Sequence, residues 1–290
     1  MIDRRNLMIG LSLGIAMTAT GAAFAAPAGI IQRIAELERK SGGRLGVGVR
    51  NAATGEVWGH RLDERFAMCS TFKALLAAQV LSRVDTGKET LARRIPVQKA
   101  DLVTYSPAVE KRVGGTMSIA ELCQATVTLS DNAAANLLLR DTGGPAGLTS
   151  FLRSVGDGVT RLDRREPELN VVIGGDERDT TTPAAMAGTL NRLVLGNALS
   201  AKSREQLKTW LIANTTGDAR IRAGVPDDWV VGDKTGTWDG GATNDVAILW
   251  PPKGGPIILT VFYDGSAAKL DARNSVIASA ARIVASVYSG

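Results

Sequence analysis

Ser70-Thr71-Phe72-Lys73, Ser130-Asp131-Asn132, Glu166 and Lys234-Thr235-Gly236 follow one another in that order along a chain of 290 residues. A hydroxyl, two amines and a carboxylate are the parts needed for nucleophilic acyl transfer. Serine is a weak nucleophile at its own pKa and requires a neighbouring base. Histidine is the usual base, yet the chain has 1 His, His60, between Gly59 and Arg61 at the end of a predicted strand. It reads as a structural or surface residue. The same scarcity argues against a metallo-hydrolase built on several His ligands. Serine chemistry here must be driven by Lys or Glu.

If a helix begins at Ser70, residues three apart share a face, and the Lys73 amine lies beside the Ser70 hydroxyl. A helix start also offers backbone N–H groups and a favourable dipole to an anionic oxygen. Taken alone, the pair is equally an ordinary amphipathic helix with an exposed Lys. A second Ser-x-x-Lys at Ser266–Lys269 and a second Lys-(Ser/Thr)-Gly at Lys40–Gly42 show that such pieces arise by chance. Order and context therefore carry the inference. Ser130 falls on a short turn between two capped helices, where its hydroxyl suits proton transfer to a leaving group. Asn132 both donates and accepts, as a substrate amide requires, and Asp131 reads as a helix cap. Lys234-Thr235-Gly236-Thr237 lies on a predicted strand. A glycine there marks close approach by a ligand or another backbone, and edge-strand groups can pair with a substrate amide.

The elements that must position these residues form a pattern of strands at both ends and helices between. A helix is expected from Pro27 to Lys40, with Ile30, Ile31, Ile34 and Leu37 on one face and Gly42-Gly43 ending it. Leu45–Arg50 and Glu56–Arg61 read as a hairpin. From Thr71 to Ala213 helix signatures dominate: a Ser118/Glu121 capping box ahead of Leu122–Leu129, an Asp131 cap on Asn132–Leu139, Pro145 opening a helix closed by Gly156, and Thr182-Pro183 opening another. Strands return at Trp229–Thr235, Asp245–Trp250 and Pro256–Tyr263, before a last helix over Leu270–Tyr288. The fold class expected is α+β, a three-layer α/β/α sandwich whose antiparallel sheet comes from the two ends of the chain. Its discontinuous α/β domain covers 26–65 and 213–290, and an all-α domain, 66–212, is inserted between them. A cleft between the two is where small-molecule sites form. Residues 161–181 are the irregular exception, and long loops in compact domains are usually functional. Arg164 and Asp179 are placed to bridge the neck of this loop.

Composition narrows the function classes. A net charge of +5, no basic run and few aromatics leave a nucleic-acid partner without its usual footprint. Residues 1–25 read as a removable export signal: Arg4-Arg5 precede an apolar run from Leu7 to Met17, and Ala23-Phe24-Ala25 offers a small-x-small cleavage site. The adjacent arginines suggest the twin-arginine route. The run is too short for a secure membrane span. The first Cys is Cys69, so a lipid-modified Cys just after the signal is excluded. The expected product is soluble, and periplasmic or secreted. The two cysteines, Cys69 and Cys123, are too few for a disulfide scaffold.

The three motifs in order, with Glu166 on its own loop between the second and third, resemble the class A serine β-lactamases. That resemblance spans nearly the whole chain after the signal. It implies a monomer without metal or organic cofactor, acting on β-lactam small molecules to confer antibiotic resistance. Ser70 would attack the lactam carbonyl, and Ser130 would protonate the departing nitrogen. Lys73 and Glu166 would manage protons, the acylation base being either of them. Glu166 and Asn170 would activate the water that releases the product. Backbone N–H groups of Ser70 and Thr237 would form the oxyanion hole. Lys234, Thr235, Gly236, Thr237 and Arg220 would line the substrate's carboxylate end, with Asn132 on its amide and Tyr105 on the cleft rim. In the family the Glu166–Pro167 bond is cis. Relatives with a disulfide here carry a Cys where this chain has Ala77 or Trp238, so two free thiols are expected. Trp238 itself departs from the small residue or Cys usual at that position, which bears on substrate range. A DD-peptidase or transpeptidase, or a β-lactam sensor that stays acylated, would share the three motifs. The first lacks the deacylating loop, and the second needs a tether and a signalling segment.

Overall fold

The computed structural model describes residues 28–171 and 174–289, so the expected export signal over 1–25 lies outside the described residues. Helix α1 (Ile30–Ser41) leads into β1 (Arg44–Asn51) and β2 (Val57–His60). After the short β3 (Phe66–Ala67) come α2 (Phe72–Asp85), the small pair β4 (Arg94–Pro96) and β5 (Thr116–Ser118), then α3 (Ile119–Thr128), α4 (Asn132–Asp141) and α5 (Gly144–Ser154). The short β6 (Thr180–Thr181) precedes α6 (Pro183–Leu190) and α7 (Ala201–Ile212). Strands β7 (Val230–Trp238), β8 (Ala242–Trp250) and β9 (Ile257–Asp264) and helix α8 (Leu270–Ala285) complete the fold. The main sheet has the order β2-β1-β9-β8-β7, antiparallel throughout, which is the α+β arrangement expected.

Side chains alternate across a strand, so β8 and β9 bury two different faces. Val246, Ile248, Ile258 and Phe262 join the core of the helical body. Ala247, Leu249, Leu259, Val261 and Tyr263 join Ile30 and Ile34 of α1 and Val276, Ile277, Ala280 and Val284 of α8. The sheet is thus the middle of three layers. At the centre of the helical body α2 is buried continuously from Phe72 to Leu81. Each fully buried Leu or Phe there contributes about 1.5–3 kcal/mol, a rigid support for what precedes it.

Local signals act as expected at several ends. The Ser118/Glu121 capping box makes both of its bonds, Asp131 caps α4 through the Ala134 N–H, and Thr182 caps α6 through that of Ala185. Several boundaries differ from expectation: α1 is Ile30–Ser41 rather than Pro27–Lys40, and α8 ends at Ala285 rather than Tyr288. Helix α3 starts at Ile119, directly after its cap, rather than at Leu122. Strand β7 continues past Thr235 to Trp238, and β8 starts at Ala242 rather than Asp245. The Thr237↔Thr243 and Trp238↔Ala242 pairs extend the ladder past the polar stretch, because backbone hydrogen bonds need no apolar alternation.

Candidate active site

A 3₁₀ turn, Cys69–Thr71, leads directly into α2 and carries Ser70 at the sheet edge. Cys69 has a left-handed backbone (φ 45°), which turns Ser70 toward the cleft. Strand β7 comes close enough that a Cβ on Gly236 would lie 2.6 Å from the Met68 carbonyl and 3.2 Å from Cys69 Cβ. Only glycine permits that approach. From the same sheet Asn244 donates to the carbonyls of Ala67 (2.9 Å) and Met68 (3.2 Å), tying the strand before Ser70 to β8.

Lys73, fully buried, is ringed by oxygens. Its Nζ donates to the Ser130 carbonyl (2.7 Å) and to Asn132 Oδ1, and it pairs with Glu166 Oε1 at 2.9 Å. The same carboxylate oxygen accepts from Ser70 Oγ at 3.2 Å. Burial pushes the Lys73 ammonium down, and the Glu166 charge beside it pulls it back up. Among the described residues the Ser70 hydroxyl thus meets Glu166. The amine expected beside it bonds instead to the groups that flank the hydroxyl.

Glu166 enters from the irregular loop, through a cis bond to Pro167. Asn136 on α4 clamps its backbone from both sides: Asn136 Nδ2 donates to the Glu166 carbonyl (2.8 Å), and the Glu166 N–H donates to Asn136 Oδ1 (3.1 Å). Asn170 donates to Glu166 Oε2 and to the Pro167 carbonyl. At the loop's neck Asp179 Oδ1 accepts from the N–H groups of Asp163 (2.7 Å) and Arg164 (2.9 Å), while Oδ2 pairs with the Arg164 guanidinium. The expected bridge is present.

Ser130, left-handed at φ 59°, receives a hydrogen bond from Lys234 Nζ at 3.1 Å on one side and faces Lys73 Nζ at 3.4 Å on the other. Lys234 also donates to the Thr235 carbonyl at 2.9 Å. Burial, reinforced by repulsion from Lys73 and opposed by Asp233, pulls Lys234 down to about 7. Asn132 is fixed by donation to the Thr104 carbonyl (2.8 Å). Tyr105, 58% exposed, stands at the surface beside it. Thr235 shares a hydroxyl contact with Thr216 at 2.6 Å.

Arg220 lies beneath β7 and donates to the carbonyls of Gly236 (3.0 Å) and Asn244 (2.7 Å), to Thr237 Oγ1 (2.6 Å) and to Asn274 Oδ1 (2.9 Å). The structure therefore brings Ser70, Lys73, Ser130, Asn132, Glu166, Asn170, Arg220 and Lys234-Thr235-Gly236-Thr237 into one linked set, which Tyr105 joins only through its carbonyl, the acceptor of the Asn132 N–H at 3.0 Å. Asn136, Asn244 and Thr216 were not anticipated. An Asn within the apolar stretch Ala133–Leu139 was the available signal for Asn136. Both cysteines are free and buried, and burial pushes the Cys69 thiol up to about 12 and raises that of Cys123. His60 sits apart, 2.9 Å from Glu38.

Trp238 folds back over the turn that follows β7: a Cβ on Gly240 would meet its indole carbons at 2.2–2.5 Å. With Val171, Gly174 and Gly175 of the irregular loop it lines a cavity of about 630 Å³.

Residues 29–288 match the β-lactamase enzyme family. Among curated proteins, the chain is 51% identical over 253 residues to β-lactamase CTX-M-97 of Escherichia coli, covering 87% of each. It is 48% identical to β-lactamase OXY-2 of Klebsiella oxytoca, covering 92% of each. A solved ancestral Gram-negative class A β-lactamase superposes with a TM-score of 0.88 at 62% identity, over 89% of this chain and 99% of that one. The chain belongs to the class A β-lactamases. The peptidase and sensor alternatives give way to that membership, and a β-lactamase has to perform both halves of the reaction, capture and release. Among the described residues no helix is long and apolar enough to cross a membrane.

Proposed function

We propose that this β-lactamase opens the lactam amide of penicillins and cephalosporins through an ester on Ser70, and that Glu166 serves both halves of the cycle. The carrying observation is that Glu166 Oε1 touches both Ser70 Oγ (3.2 Å) and Lys73 Nζ (2.9 Å). A base must lie within hydrogen-bond reach of the proton it takes, which favours Glu166 as acceptor of the Ser70 proton. The tetrahedral oxyanion faces the N–H groups of Ser70 and Thr237, and each such donor typically contributes about 10²–10³ in rate. Ser130, between Lys73 and Lys234, passes a proton to the departing ring nitrogen. Glu166 with Asn170 then directs water onto the ester. Lys234, Thr235, Thr237 and Arg220 hold the substrate carboxylate, Gly236 gives β7 its approach, Asn132 binds the side-chain amide, and Tyr105 borders the entrance.

The cleft lies between the discontinuous domain (26–65 and 213–290) and the helical one (66–212). The enzyme acts as a monomer, exported to the periplasm or beyond after loss of residues 1–25. The test is Glu166→Ala. Removing the carboxylate takes away the largest influence that opposes the downward push of burial on Lys73, so its amine is left as the group to activate Ser70. Release loses its base. A covalent Ser70 adduct should accumulate and be seen by mass spectrometry, whereas steady turnover at the wild-type rate would sink the mechanism.

A further inference from the structure

Two fully buried aspartates stand on the sheet face opposite Lys234, the face covered by α8 and by the segment 214–224. Asp233 and Asp245 share that face with Thr235, since Thr235 pairs with Asp245 and Asp233 with Ala247. Their surroundings differ. Asp233 Oδ1 pairs with Arg222 at 2.7 Å, and Oδ2 accepts from Asn214. Among the described residues Asp245 has no ion pair. Its Oδ2 accepts one N–H, from Ile221 at 3.1 Å, and its Oδ1 is buried without a partner. An unpaired carboxylate in such a place is among the most costly groups a protein can bury, and it is relieved by taking up a proton.

We infer that Asp245 is a neutral carboxylic acid in the working enzyme, and that its neutrality leaves the charge of Arg220 free for the substrate's carboxylate. The second half rests on the reading of Arg220 and Lys234 given above. The charged groups around Asp245 are Asp233 and Lys234 on β7, Arg220 and Arg222 on the preceding segment, and Arg273 on α8. Burial and the neighbouring Asp233 both raise Asp245, and Arg220 and Lys234 oppose them. Among the described residues Arg220, itself buried, donates only to neutral oxygens. An ionised Asp245 would be its counter-ion, and a substrate anion would then meet a compensated guanidinium. Thr243 Oγ1, two residues earlier on the same strand face, is likewise buried without a partner.

Asp245→Asn keeps shape and neutrality, so two readouts separate the cases. At neutral pH the infrared spectrum should show the carbonyl stretch of a protonated carboxyl that Asp245→Asn removes. The preference of kcat/KM for benzylpenicillin over its methyl ester should stay within about twofold of wild type, because no charge has changed. A spectrum that loses only carboxylate bands overturns the inference, as does a preference that rises about tenfold or more on uncovering Arg220. If the variant does not fold, wild-type enzyme isotope-labelled at its aspartate carboxyl carbons decides the first half by NMR. One carboxyl should hold its protonated shift at neutral pH, and a fully ionised set refutes it. Arg220→Gln distinguishes the two failures. An unchanged acid-over-ester preference there overturns the carboxylate reading and the functional half with it, leaving the protonation state of Asp245 to the spectra.

Discussion

Asp179→Asn tests whether the neck of the loop, and not the catalytic groups alone, sets the rate of ester release. The Asp179 side chain is wholly buried and that of Arg164 is 19% exposed. Asn keeps one carbonyl oxygen for the N–H groups of Asp163 and Arg164, but it replaces Oδ2 by an NH₂ that faces the Arg164 donor. Removing one partner of a buried pair costs about 3–5 kcal/mol, and Arg164's access to solvent places this case near the lower end, about 3 kcal/mol. That corresponds to a roughly hundredfold shift of the loop between closed and open forms. If the loss is carried into global unfolding, the midpoint should fall by about 6–12 °C for a chain of this size. Ser70 stands on the 3₁₀ turn before α2, Lys73 on α2 and Ser130 on the α3–α4 turn, none of them part of the loop itself. Lys73 remains to activate Ser70 when Glu166 is displaced, so ester formation should persist while release slows more. Rapid-quench acylation, steady-state kcat and a thermal melt on one preparation read all three quantities. A melt unchanged within about 2 °C, with acylation and release slowed equally, would refute the idea that the pair holds Glu166 in place.

Lys234 supplies a pH prediction. Burial brings it down to about 7, so it is cationic below that pH and neutral above. KM for a carboxylate-bearing penicillin should rise as pH passes upward through that value, with the methyl ester unaffected; parallel profiles would remove Lys234 from carboxylate binding. Trp238→Gly takes away the indole that lies over Gly240 and walls the cavity beside the loop. The ratio of bulky-cephalosporin to penicillin turnover should rise, and an unchanged ratio would show that the acyl side chain never meets the indole. Asn136→Ala removes both hydrogen bonds to the Glu166 backbone, each worth about 1 kcal/mol. Pre-steady-state kinetics should show release impaired more than acylation, and an equal loss in both would make Asn136 a residue of stability only.

The order Ser70, Ser130, Glu166, Lys234 was legible because each residue sits beside a local signal: a lysine three residues on, an Asp cap, a loop rich in charge, a glycine inside a strand. Such signals depend on neighbours a few residues away. Contacts that join distant segments leave no such trace. Lys234 reaches Ser130 across 104 positions and Asn244 reaches Ala67 across 177, so neither was readable from spacing. The end of β7 was set too early for a related reason. The apolar run ends near Thr235, yet Thr237 and Trp238 pair with Thr243 and Ala242 in the ladder. The resemblance supplied Arg220, whose surroundings no local pattern announces. It did not supply Asn136, which reads as one more polar residue on a helix until the loop is folded against it.

The placement of charge explains why two lysines flank one serine hydroxyl. Lys73 and Lys234 are both fully buried, and each is pushed down by burial, Lys234 further by Lys73 itself. Two buried ammonium groups on one hydroxyl would be strongly unfavourable without anions to match. Glu166 answers Lys73 directly. Among the described residues Lys234 has only the Ser130 hydroxyl and the Thr235 carbonyl as hydrogen-bond acceptors, and Arg220 behind the strand donates to neutral oxygens. The free site is therefore one anion short, and the missing charge falls where the substrate carboxylate is proposed to bind. Binding that carboxylate favours the protonated form of Lys234 next to Ser130, on the side from which the lactam nitrogen must receive its proton. Substrate recognition and leaving-group protonation are in this way coupled through one amine, and a substrate without the carboxylate should lose rate as well as affinity.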